Sequence, residues 1–77
     1  MEIVYTRHAR ERMTEHDVSE QEIGAVLARP DRETTDAEGN RRLSGWSGAR
    51  PLTMVVAKDS DPPRIITLWR TSRRRQR

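Results

Sequence analysis

Pro30 divides this chain into two halves that obey different periods. Its ring removes a backbone donor and restricts the residue before it, so any helix arriving from upstream must stop by Ala28 or Arg29. Upstream, Ile23, Val26 and Leu27 recur at i, i+3, i+4, which is one stripe of a helix. The start of that helix is equally bounded. Ser19-Glu20-Gln21-Glu22 is a capping box, and Val18 before the cap with Ile23 inside the first turns makes a hydrophobic staple. A first helix is expected from about Arg7 to His16, capped by the Thr6 hydroxyl and docked through Ala9 and Met13, ending near Asp17. Glu2 to Tyr5 is a short β-prone run, an edge strand or an extended lead-in.

Downstream of Pro30 the pattern is that of strands. Arg32–Asp36 and Arg41–Ser47 flank a reversal whose Gly39-Asn40 pair suits positive φ. Gly45, Gly48 and Pro51 mark a bulge or loop, and Leu52–Lys58 is the most strand-like run of all. After the loop Asp59–Pro63, the segment Arg64–Arg70 alternates Ile65, Thr67 and Trp69 against Ile66, Leu68 and Arg70. The expected fold is α+β: two short N-terminal helices packed on one face of an antiparallel sheet of three to four strands. Residues 1–72 are read as a single domain and 73–77, with four arginines and no apolar anchor, as a disordered basic tail.

A chain of 77 residues with 32% hydrophobic content and no Phe builds a thin core, so a partner or a homodimer would supply burial that the monomer lacks. The absence of Cys excludes disulfides and thiolate chemistry, and no segment has the apolar length of a membrane span or signal peptide. The expectation is a soluble cytoplasmic protein. Charge is polarised along the chain: residues 1–40 carry five Arg against ten Asp/Glu (−5), whereas residues 41–77 carry ten Lys/Arg against two Asp (+8). An anionic partner is expected on the basic half. His8 and His16 stand too far apart on one helix to share a metal, so no metal or other cofactor is expected. Helix-turn-helix DNA binding is disfavoured by Glu20 and Glu22 on the second helix.

His8-Ala9-x-x-Arg12-Met13, then Val18-Ser19-x-x-Glu22-Ile23-x-x-Val26-Leu27-x-x-Pro30, and finally Ile65-Ile66-Thr67-Leu68-Trp69-Arg70 resemble the family called domain of unknown function four-two-five-eight, over roughly residues 5 to 70. Where many members have a second Arg, this chain has His16. That family is similar in size and element order to RelE-like toxins, small ribonucleases of toxin and antitoxin pairs. The resemblance implies an RNA-acting protein, a metal-independent endoribonuclease toxin, with an acidic antitoxin covering its basic sheet. The alternative is a non-catalytic module that binds a protein or nucleic acid through the basic half.

Metal-free RNA cleavage needs a base for the 2′-hydroxyl, cations for the charge growing on the phosphate and an acid for the leaving oxygen. Histidine is the side-chain type whose unperturbed pKa lies closest to neutrality; His8 has Arg12 at i+4, and Thr67 places a hydroxyl within an apolar strand, so these three are the candidate catalytic residues. Each has a plain structural counterpart: His8 as a cap or sheet contact, Arg12 in a surface network with Glu15, Thr67 bonded to a neighbouring strand. Arg42, Lys58 and Arg70 are the candidate RNA-binding cations, if strand order brings them together; solvated outer-face charge is the plain reading of each. Trp69 is a candidate stacking platform for a base. Trp46 could act likewise, but in a chain with three aromatics both tryptophans have core contact as their commoner role.

Overall fold

The computed structural model describes residues 2–48 and 50–70. The basic tail expected at 73–77 lies outside the described residues. The elements run β1 (Val4–Tyr5), α1 (Arg7–His16), α2 (Glu20–Ala28), β2 (Arg32–Thr35), β3 (Arg41–Ser47), β4 (Arg50–Val56) and β5 (Arg64–Trp69).

Both helices begin where their caps dictate. The Thr6 hydroxyl accepts from the Ala9 amide at 3.1 Å and donates to the Ile66 carbonyl at 2.8 Å, so one side chain starts α1 and fastens it to β5. Ser19 and Glu22 close the capping box reciprocally, at 3.2 and 3.0 Å. Asp17, in the left-handed region at φ 55°, reverses the chain between the helices.

The sheet has five strands in the order β1-β5-β4-β3-β2 and is mixed, correcting the expected antiparallel sheet of three to four strands. β2 to β5 form antiparallel neighbours, while β1 pairs parallel to β5 through Val4↔Arg64 and Tyr5↔Ile65. A two-residue strand has no period of its own. Its placement comes from Val4 and Thr6 amides that donate to the Pro63 and Ile65 carbonyls.

The helices cover one face of the sheet. Ala9, Met13, Ile23 and Val26 meet Leu43, Leu52, Met54, Val56, Ile65 and Leu68 in a single buried cluster. Gly45 lies inside β3, paired with Leu52, rather than in the expected bulge or loop, and Val26 approaches it so closely that a Cβ there would stand 3.2 Å from its methyl. The tight turn falls at Gly48, φ 63°, and Pro51 pairs with Trp46 within the ladder. In the β2–β3 turn only Gly39 takes a positive φ, 91°; Asn40 contributes through its side chain, which accepts from the Lys58 amide. A bulge pairs Val55 with Thr67 but Val56 with Ile65, leaving Ile66 as the extra residue. Strict alternation in β5 is thereby broken, and Ile65 and Leu68 are both buried.

Candidate functional site

The face of the sheet turned away from the helices carries the polar alternates of the core positions. Leu43, Met54 and Leu68 point to the helices, so Ser44, Thr53 and Trp69, their successors in register, point to the other side. One row over, Thr34, Arg42, Val55 and Thr67 share that open face. Arg32, Thr34, Arg42, Ser44, Thr53 and Trp69 together line a groove of about 370 Å³.

Two guanidinium groups, three hydroxyls and an indole thus converge from four strands. The Arg42 guanidinium lies over the Trp69 ring, 5.1 Å from its centroid. The Ser44 and Thr53 hydroxyls are 3.1 Å apart in mutual hydrogen-bond contact, and Thr53 is buried. Among the described residues no carboxylate forms an ion pair with Arg32 or Arg42, whereas Arg41, on the helix side, is engaged by Glu33 at 2.9 Å. The open face is therefore cationic and aromatic, with hydroxyl donors between. Such a surface can hold phosphate through guanidinium forks and a planar base through stacking on the indole or on the guanidinium above it.

The expected site residues divide. Arg42 and Trp69 are brought together, and Thr67 stands on the same face beside Val55. Lys58 lies at the hairpin end of the sheet, its side chain running past Gly39, outside the groove lining. Arg70 turns the other way. Its Nε donates to the His16 carbonyl (3.3 Å), Nη1 to the Pro51 carbonyl (3.5 Å), and Nη2 to the Asp17 carbonyl (2.8 Å) and both Glu22 oxygens (3.1 Å each). It clamps the end of α1 to the start of α2. Burial raises the Glu22 pKa, but hydrogen bonds from Arg70 and the Ser19 amide, with the charges of Arg70 and Arg50, outweigh it and hold the carboxyl below its ordinary value.

His8 and Arg12 occupy an exposed flank of α1, not the groove. Arg12 Nε donates to His8 Nε2 at 3.3 Å, and its Nη1 pairs with Glu15. Arg10, on the opposite flank, lies over the Tyr5 ring and pairs with Glu20 at 2.9 Å, binding α1 to α2.

Sequence reasoning missed one member of the face and ranked another below its core role. Arg32 was not a candidate, although its place at the start of a strand of alternating polar residues puts it two positions from Thr34. Trp46, with core contact as its expected commoner role, is 49% exposed. Among the described residues no cluster of His, Cys, Asp and Glu could hold a metal ion, and no helix is long and apolar enough to cross a membrane. A family model described as Domain of unknown function (DUF4258) matches residues 5–70. No curated protein and no solved structure matches the chain.

Proposed function

The chain belongs to the DUF4258 family, and we propose that it is a small RelE-like, RNA-acting protein that holds single-stranded RNA against the open face of its sheet. One observation carries this reading: Arg42 over Trp69, in the groove it shares with Arg32. Cations supply the sequence-independent attraction for phosphates, and an aromatic platform accepts a base that is not buried in a duplex. The hydroxyls of Thr34 and Ser44 add donors and acceptors suited to phosphate, sugar or base edges.

An endoribonuclease toxin is the second reading, and the His8–Arg12 contact favours it. With Nε2 accepting from Arg12, the ring proton of neutral His8 sits on Nδ1, and the pair is exposed to an incoming strand. The groove itself is lined by Arg, Thr, Ser and Trp, with no imidazole or carboxylate among them, so a base for the 2′-hydroxyl would have to come from outside it. Holding RNA is the activity that the open face supports best. In a toxin pair, an acidic antitoxin segment would place carboxylates on Arg32 and Arg42 and mask the same face.

Fluorescence anisotropy of labelled single-stranded RNA tests the principal reading, with gel analysis of the same RNA after incubation for the second. Binding that Arg42→Ala and Trp69→Ala weaken in folded protein supports it. Absence of RNA affinity at low salt contradicts it. Cleavage lost in His8→Ala and Arg12→Ala would establish the nuclease.

A further inference from the structure

We propose that Trp46 forms a second base-stacking position, so that the open face takes an unstacked single strand reaching from Trp69 to Trp46. This rests on the reading of the open face as an RNA surface. Beside the Trp69 groove lies a second one of about 270 Å³, lined by Asp31, Arg32, Ser44, Gly45, Trp46 and Pro51. Arg32 and Ser44 line both grooves, so the two are neighbours with a shared wall.

The register explains the placement. Trp46 is two residues beyond Ser44 on β3 and therefore shares its face, opposite Pro51 on β4. β2 ends its ladder at Arg32↔Ser44, with one further bond from the Asp31 amide to the Ser44 carbonyl, 2.8 Å. Trp46 thus stands beyond the last β2–β3 pair, at the end of the ladder. That accounts for its 49% exposure, unusual for the largest apolar side chain in a chain so poor in apolar residues.

Strand geometry separates the two tryptophans by two residues along the strand and two strand spacings across, roughly 12 Å between Cα atoms. Successive nucleotides of a duplex strand rise only about 3.4 Å, so neighbouring stacked bases cannot reach both rings. An extended single strand can, with Arg32, which lines both grooves from the β2 edge, within reach of the connecting phosphate. Asp31 at the far rim repels phosphate but accepts from an exocyclic amine of a base. Charge selects the occupant: two arginines without a carboxylate ion pair among the described residues favour a polyanion, and paired indoles favour one that carries planar bases over an acidic peptide.

The chain contains two tryptophans, so each Trp→Phe variant leaves a single reporter. Oligoadenylate RNA is titrated into Trp69→Phe, which reports Trp46, and into Trp46→Phe, which reports Trp69. Quenching of both reporters at the same RNA concentration is expected. Polyglutamate at matched charge should leave the Trp46 emission unchanged. In parallel, Trp46→Ala, with its fold verified by circular dichroism, should weaken RNA binding roughly five- to thirtyfold. Quenching of Trp69 alone, with Trp46→Ala binding as wild type does, overturns the second position and leaves the RNA surface standing. Quenching of both by polyglutamate and not by RNA overturns both in favour of an acidic protein partner, and no RNA affinity in wild type overturns both outright. Should Trp69→Phe fail to fold, the affinity of Trp46→Ala decides.

Discussion

Nη2 of Arg70 lies 3.1 Å from each carboxylate oxygen of Glu22, and both side chains are about 15% exposed or less. A cation expected on the sheet's RNA face instead locks the corner between the helices. Glu22 serves two masters there, since its Oε1 also accepts the Ser19 amide in the capping box.

Arg70→Ala should therefore be a stability variant. It leaves the Glu22 carboxylate without its cation and withdraws donors from the His16 and Asp17 carbonyls at the end of α1. The expected loss is about 2–4 kcal/mol, or roughly 10 °C or more in thermal midpoint for a domain of this size. Arg70→Lys should recover only part of it, because a point charge cannot span the His16, Pro51 and Asp17 carbonyls and the Glu22 carboxylate together. Thermal denaturation by circular dichroism checks this; a midpoint near wild type for Arg70→Ala would refute the clamp.

The same pair sets an acid dependence. The folded pKa of Glu22 lies below its ordinary value of 4.5, so the stability it adds is fully present above about pH 4.5 and is lost as pH falls through the lower, folded value. Wild type should lose thermal midpoint over that window more steeply than Glu22→Gln, which carries no titrating group there. Equal pH slopes for the two proteins would count against the assignment.

The helical half was legible in the sequence because its signals are local. Thr6, the Ser19–Glu22 box and Pro30 act within one or two turns, and α1 and α2 begin and end where those residues require. The sheet was legible only in part. Its hairpins announce themselves through Gly39 and Gly48, but the parallel pairing of β1 and the bulge opposite Val55 and Val56 depend on contacts some sixty and ten residues distant in sequence. The cations show the same divide. Arg42 and Arg70 look alike in sequence, each at a strand end, yet one faces Trp69 and the other Glu22. Only the register and the helix corner distinguish them. Trp46 was misjudged for a related reason: its exposure follows from where β2 ends, which its own neighbours in sequence do not encode.

Arg12 offers the contrast to Arg70. It is 38% exposed and its partner Glu15 is 55% exposed, so Arg12→Ala should cost no more than about 0.5 kcal/mol, and less at high salt. Because the His8–Arg12 flank lies outside the groove lining, RNA affinity should stay within about twofold of wild type, after allowing for one cation fewer. A large fall in affinity would move the RNA site onto α1.

The most direct test of the account is RNA binding by Arg42→Ala across a salt series, read as anisotropy of labelled single-stranded RNA with folding verified by circular dichroism. Arg42 is exposed and without a carboxylate partner among the described residues, so the variant should keep its thermal midpoint within about 2 °C. Its affinity should fall roughly tenfold, and the slope of log K against log salt should flatten by about 0.7, the loss of one phosphate contact on a single strand. Wild-type affinity and an unchanged slope in the variant, or no RNA affinity in either protein at low salt, would contradict the assignment of the open sheet face as the RNA surface.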